Sequence, residues 1–543
     1  MRSFSRLRRI IGLLGIAALA ATACGDDSDD GATASEGTTS PASADEVCTE
    51  DRVGGTLAVG TYSEAGGLDP VVAAGTGLGT GRVGATEGSA IFDVLVIHDS
   101  ETGEYTPHLA EALTPNEDNT KWTLKLRPDI TFDNGDPLDA QAVVTSMQRH
   151  TAQSSRSTLR RGVVLIQQFE VTDPLTVVFH LAEPWGDFPM LLAASPGMIT
   201  NQRVVDERGA DFNRNPNGGG VGPYVVDRFM PGEVLVLKAR ENYWGGPVCV
   251  KELRFVNIVG GPATYEALEA GQLDVAFLPD GATINRARDA DYEGLEWIIH
   301  SGSMLLMNTG LPGTDPPTSD LRVRQAIAHA LDVDYINERQ FDGYGLATTS
   351  LVHPDSPISP GVDGPEFNRQ RATQLITQVK AETGWDGSIR LLCNDPTDRR
   401  DAALAIETLL NAVGMQVQRT IGDTSQLIAG VVTNKDYDLA CWSQNFTEAD
   451  VWFNLGVFAS NSPTNYSGIQ DPAMDAALID IRAARDSDEL RAALGTMQER
   501  WNEIVPSAVW GAVETYIAHD DDVHGLVPTV RETFLFHDAY ISQ

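Results

Sequence analysis

The residues best suited to chemistry in this chain are aromatic and neutral-polar. Trp442-Ser443-Gln444-Asn445-Phe446 sets two large rings around three hydrogen-bonding side chains, and Tyr62-Ser63-Glu64 places a ring, a hydroxyl and an acid in a row. Sets of this kind suit the capture of a polar organic molecule, because rings supply flat apolar area while amides and hydroxyls fix orientation. What covalent chemistry needs is missing from the pattern. The ten histidines, at 98, 108, 150, 180, 300, 329, 353, 519, 524 and 537, are scattered without an HxxxH pair, so no metal site is expected. No Gly-x-Ser-x-Gly elbow occurs. Gly79-x-Gly81-x-x-Gly84 matches a dinucleotide fingerprint in form only, since no apolar strand runs into it and no βαβ spacing surrounds it. Asp289 with Asp291, and Asp520 to Asp522, sit in polar, turn-like runs that read as solvated loops. The expectation is a non-enzymatic protein without a cofactor.

The positioning of these residues begins with export. Arg2, Arg6, Arg8 and Arg9 precede an apolar stretch, Ile10 to Ala23, that ends in small residues, which makes residues 1–23 a secretory signal. The stretch is shorter than the ~20 residues of a spanning helix. Cys24 follows Ala21-Thr22-Ala23 as the lipidated cysteine follows a lipobox, with Ala21 where leucine is usual. Cys24 is therefore read as the lipidation site, with plain secretion after Ala23 as the alternative. Residues 24–49 are rich in Asp, Ser, Thr, Ala and Gly and form a flexible acidic tether. The protein is thus expected on the outer face of the cell membrane, held through its lipid alone. Loss of the signal's four arginines leaves 35 bases against 76 acids, a charge of −41. A polyanion has no counterions to release at phosphates, so nucleic-acid binding is excluded. Four further cysteines, Cys48, Cys249, Cys393 and Cys441, suit an oxidising compartment and allow three pairings.

The 543 residues exceed one domain. Gly55 to Tyr62 and Trp122 to Leu126 alternate as strands, and Ala140 to His150 carries helical spacing. Phe169 to Val171 and Val177 to Leu181 form a hairpin pattern around Asp173-Pro174, and Tyr224 to Leu237 gives two strands broken at Met230-Pro231-Gly232. Ala263 to Ala270 is a helix stopped by Gly271, followed by a buried strand, Leu273 to Leu278. Ser319 or Asp320 caps a helix with Val323, Ala326, Ile327, Ala330 and Leu331 on one face. Ser388 to Cys393, Asp401 to Val413, Met415 to Thr420, Thr424 to Thr433 and Tyr437 to Trp442 read as βαβαβ, hence a parallel sheet. Ligands gather beyond the carboxyl ends of such strands, where Asn394 and Trp442 to Asn445 fall. If the first and third strands are neighbours, Cys393 and Cys441 are close enough to pair; otherwise they remain buried thiols.

From Gly54 to about Ile517 the chain resembles the family-5 solute-binding proteins of ABC importers, which include dipeptide-, oligopeptide- and nickel-binding members. The resemblance rests on segments in the family's order: Gly54-Gly55-Thr56-Leu57, Leu68-Asp69-Pro70, Tyr105 to Thr120, Trp122 to Val144, Gly222-Pro223-Tyr224, Asn242 to Gly245, Thr264 to Ala276, Met307-Asn308-Thr309 and Leu321 to Ala326. It implies a two-lobe α/β periplasmic-binding-protein-like fold with mixed sheets, an enlarged first lobe and a hinge of two crossing segments. Lobe I would span 50–304 with an inserted subdomain at about 75–205, lobe II 305–511, and 512–543 would return to lobe I. The crossings would lie near Met304–Asn308 and Trp510–Glu514.

The resemblance also implies that Cys48 pairs with Cys249, both in one lobe. Partners implied are a small-molecule or peptide solute and an ABC permease with its ATPase, for a monomeric binding protein. Ligand-binding candidates are Tyr62, Ser63 and Glu64 from the first lobe, Asn308 on a crossing, and Trp442, Gln444, Asn445 and Phe446 from the second. Peptide-binding members usually carry an aspartate shortly after this tryptophan, to pair with the peptide's ammonium; Asn445 stands here instead. An amide contributes no charge, and charge-assisted bonds are about twice as strong as neutral ones. The solute is thus a peptide, a blocked or modified peptide, a sugar or another polar solute. Glu64 is either a carboxylate offered from the opposite lobe or a solvated loop acid. Two other readings are a same-fold envelope protein acting as regulator or scaffold, and a secreted hydrolase built on a pair such as Ser63 and His353.

Overall fold

The longest buried runs of the chain become the strands that join its parts. The computed structural model describes residues 48–49, 52–61, 65–73, 84–100, 102–395 and 397–542. The signal stretch, Cys24, the tether up to Val47, the Tyr62-Ser63-Glu64 set, Gly79 and Gly81 lie outside the described residues. Glu293–Met307 and Ser507–His519 pair antiparallel along most of their length. Every residue from Ile299 to Met307 and from Ser507 to Ala512 is buried, as in strands covered on both faces.

At one end, Ser507–His519 pairs with Val275–Leu278, which continues through Gly54–Thr61, Val250–Asn257, Val234–Ala239 and Tyr224–Met230. At the other end, Glu293–Met307 pairs with Leu439–Trp442, followed by Ser388–Asn394 and Gln416–Gly422. With Leu346–Ala347 on the second long strand, this makes one eleven-stranded mixed sheet shared by two lobes, with the two long strands crossing between them. The register slips between Ile299 and Met304, a few residues ahead of the expected crossing. Ser301 holds φ +48° there, and a Cβ on Gly302 would stand 2.7 Å from Val513 Cγ2. A bulge of this kind bends its strand, so the crossing is kinked where the two backbones lie close.

Inserted in the first lobe is a four-stranded antiparallel sheet in the order Ala110–Pro115, Lys121–Leu126, Thr176–Leu181, Ile166–Asp173. The alternation of Lys121–Leu126 buries Trp122, Leu124 and Leu126 in one cluster with Val143 and Met147 of helix Ala140–Thr151. Asp139 caps that helix by accepting from Ala142 N at 2.8 Å.

The second lobe carries the expected βαβαβ unit, and its three strands are parallel with Ser388–Asn394 in the middle. Ala403, Ile406 and Leu410 of helix Thr397–Ala412 are buried against it. The helix expected over Thr424 to Thr433 is α-helical only to Ile428 and widens into a π turn over Ala429–Asn434. Its Gly430 lies against the strand so closely that a Cβ would be 2.5 Å from Leu392 Cδ2.

Cys393 stands opposite Cys441, one step beyond the Leu392–Ala440 pair, and the two are bonded with Cα atoms 4.9 Å apart. Cys48 is bonded to Cys249 with a Cα separation of 5.3 Å. No helix among the described residues is long and apolar enough to cross a membrane.

One buried acid in the first lobe makes stability pH-dependent. Glu87, in helix Ala85–Phe92, is 4% exposed and its Oε2 has no hydrogen-bond partner among the described residues. Burial pushes its carboxyl up from the ordinary 4.5 to about 7, against backbone hydrogen bonds that pull it down. The folded protein therefore binds this proton more tightly than the unfolded chain, so Glu87's contribution is whole below pH 4.5 and is lost as pH rises through 7. Glu87→Gln is expected to raise stability at pH 8 by about 3 kcal/mol and to flatten the dependence between pH 5 and 8. Denaturant melts across that range check this; a variant less stable than the parent at pH 8 would refute it.

Candidate solute-binding site

The carboxyl ends of the three parallel strands open on a cavity of about 410 Å³, within the ~300–1,000 Å³ range of small-molecule sites. Asn394, Thr424 and Trp442 to Asn445 supply its floor from the second lobe. Thr158 and Arg161, beside or within the short helix Arg160–Val163, and Arg531, in the turn Val530–Glu532 beyond the second crossing strand, close it from the first. The wall is aromatic. Trp442 is partly buried and meets Tyr466 edge to face at 6.2 Å, with Phe453 nearby on the lining. Between them the backbone is tied to the crossing: Gln444 N donates to Ser301 O at 3.0 Å. Asn445 sits at φ +52°, a region asparagine enters more readily than most residues, and its Nδ2 donates to Ser443 Oγ at 3.0 Å.

The charged groups among the described lining residues are three arginines. Arg161 stacks 3.7 Å over the Phe453 ring and donates to Asn454 Oδ1 at 3.2 Å. Burial, reinforced by the charge of Arg531, pushes its guanidinium down to about 10. Arg399 donates to Gly302 O at 3.2 Å. Arg531 is 6% exposed and donates to Asp450 Oδ2 at 2.5 Å, an ion pair that spans the two lobes. Further contacts close the gap: Trp185 meets Trp452 at 5.1 Å, Gly186 N donates to Arg482 O at 2.9 Å, and Arg482 pairs with Glu183. A second cavity of about 460 Å³ lies between the inserted sheet and the second lobe, lined by His98, Tyr105, Asp187 and Glu448 among others. Burial holds the Asp187 carboxyl well above its usual range there, and it accepts from Tyr105 OH at 2.6 Å.

Of the residues anticipated from the sequence, Trp442, Gln444 and Asn445 come together on the first cavity. Two others do not reach it. Asn308 is fully buried, its Oδ1 accepting from Gly310 N and Leu311 N at 3.1 and 2.9 Å and its Nδ2 donating to Tyr437 O at 3.1 Å. These bonds fasten the turn that follows the first crossing strand, away from the cavity's described lining. Phe446 is also fully buried, bridged to His300 through the backbone and packed with Met304 and Leu306, because its side chain points from the strand end into the core. It belongs to the packing rather than to the cavity wall. Arg161, Arg399, Arg531 and Tyr466 were not foreseen. They come from four separate segments with no shared periodicity, so only the fold brings them together.

Two lobes joined by a pair of strands, enclosing a cavity of aromatic, amide and hydroxyl side chains between them, suit a protein that surrounds a solute. The model of bacterial extracellular solute-binding proteins, family 5 (middle part), matches residues 104–466, and the chain belongs to this family. Protein XP55 of Streptomyces lividans is 26% identical over 510 residues, covering 87% of this chain and 84% of its own. The probable D,D-dipeptide-binding periplasmic protein DdpA of Escherichia coli K12 is 25% identical over 401 residues, covering 70% and 74%. In fold the chain is similar to the DppA periplasmic binding protein of Helicobacter pylori in complex with the peptide STSA, with a TM-score of 0.72, 19% identity, and coverage of 91% and 99%.

Proposed function

We propose that the protein is the substrate-binding lipoprotein of an ABC importer, catching a peptide or another small polar organic solute between its lobes and presenting it to a membrane permease. The observation that carries this reading is the cavity itself, lined from both lobes at the carboxyl ends of the parallel strands. The relative DdpA is described as a probable D,D-dipeptide-binding protein, which favours a solute of that size and polarity. In this reading lobe I comprises 50–304 and 512–543, lobe II 305–511, and the kinked crossing at Ile299–Met304 is the hinge. Solute bound to one face gains its remaining contacts only on closure, so it shifts the population toward the closed form. No bond of the solute is made or broken, and the protein acts as a monomer held to the outer face of the cell membrane through Cys24.

Thermal unfolding of the purified protein against peptides, sugars, metal chelates and haem tests this. One class is expected to stabilise saturably, by about 2.7 kcal/mol at a hundred times its Kd. Failure of every class to shift the midpoint would overturn the proposal.

A further inference from the structure

We infer that the second cavity, of about 460 Å³, is a separate binding site for a small aliphatic polyamine, which Asp187 and Glu448 hold at its buried end and Glu104 and Asp486 at its rim. The short helix Val451–Leu455 stands between the two cavities: Val451 and Trp452 line this one, Phe453 and Asn454 the solute cavity. The buried end gathers groups that accept hydrogen bonds. His98 is 5% exposed and lines the cavity, and its ring nitrogens have no hydrogen-bond partner among the described residues. Burial pushes its imidazole down to about 4, against the pull of Glu448 and Asp99, so the neutral ring offers a lone pair. Asp187 accepts from Tyr105 OH at 2.6 Å, while His300 Nε2 and Ser356 Oγ both meet Glu448 on Oε1, at 3.3 and 2.9 Å. No lysine or arginine among the described residues pairs with either carboxyl.

Burial, with the charge of Asp450 adding to it, raises the Asp187 carboxyl, and a protonated amine between Asp187 and Glu448 would offset that repulsion. At the rim, Glu104 and Asp486 are exposed, and the arginine of the described lining, Arg485, is turned to Glu489, which its Nε meets at 3.1 Å. Between these two acidic ends the wall is apolar and aromatic, with Leu113, Val451, Ile481 and Leu490 beside the rings of Tyr105 and Trp452. Methylenes pack on such a wall, ring faces attract an ammonium, and carboxylates at both ends suit a chain charged at both ends. The same lining repels an anion, and an inorganic cation would leave the apolar wall without a partner.

The test is calorimetric titration of the purified protein at pH 7 with 1,4-diaminobutane and with spermidine, taking 1,4-butanediol as the neutral match and calcium chloride as the inorganic cation. At least one amine is expected to bind saturably, about tenfold or more tighter than the diol and than calcium. Asp187→Asn and Glu448→Gln should each weaken it about tenfold or more, since an amide keeps the local acceptor and removes the charge. Glu104→Gln, at the exposed rim where packing does not depend on it, should weaken it about threefold whatever the buried variants do to folding. Trp442→Ala, which alters the solute cavity, should change the amine's affinity less than about twofold. Binding of neither amine, or no preference over the diol or calcium, overturns the proposal. So does amine binding that survives all three acid variants, or that is lost with Trp442→Ala, which would place the amine in the solute cavity. Solute capture is decided by the thermal screen above and stands or falls apart from these outcomes.

Discussion

Asp450→Asn is expected to weaken solute binding about 100-fold while leaving the unliganded unfolding midpoint almost unchanged. Asp450 sits in the second lobe, 1% exposed, and accepts from Arg531 Nη1 across the gap at 2.5 Å. Removing one partner of a buried pair costs about 3–5 kcal/mol, because the other charge stays buried. At 1.36 kcal/mol per decade, the lower figure is about two decades of affinity. If the protein closes on its solute as proposed, that cost falls on the closed form, in which Asp450 and Arg531 are buried against each other. The amide still accepts from Thr447 N, which the carboxylate holds at 2.7 Å, so the local turn survives. Titration of the variant beside its thermal melt separates the two effects. Intact affinity with a lowered midpoint would mean that the pair fastens one rigid body.

Trp442→Ala should reduce affinity for the solute about 30-fold or more, as is typical when a central aromatic anchor is truncated. Trp442 ends the strand that pairs with the first crossing, opposite Met304, and its partly buried ring faces the cavity. The backbone pairing does not depend on the ring, so the unliganded protein should fold with an unchanged far-UV circular dichroism spectrum. Calorimetric titration of the variant checks the loss, and unchanged affinity would remove Trp442 from the site.

Much of the fold was legible because its elements carry strong local patterns. Ser388–Asn394, Gln416–Gly422 and Leu439–Trp442 are short apolar runs separated by helical spacing, and the parallel order they imply predicts both the Cys393–Cys441 bond and the edge on which the cavity opens. The crossing was harder to place. Glu293–Met307 is buried on both faces around its bulge, so it shows neither alternation nor a break, and the register slip at Ile299–Met304 depends on the close approach of Gly302 and Val513. The site divides in the same way. Trp442, Gln444 and Asn445 follow a readable strand, whereas Asn308 and Phe446 look identical in type to solute contacts and are spent on a turn and on the core. Arg161, Arg399 and Arg531 lie up to 370 residues apart in a chain of surface charges, and nothing in their local sequence separates them from solvated arginines.

Small-angle X-ray scattering, with and without a saturating concentration of whichever solute stabilises the protein, tests the central claim most directly. Closure on solute gives a smaller radius of gyration, with the fully bound curve matching the arrangement in which Asp450 meets Arg531 and Trp185 meets Trp452. Identical curves for the free and saturated protein would contradict it.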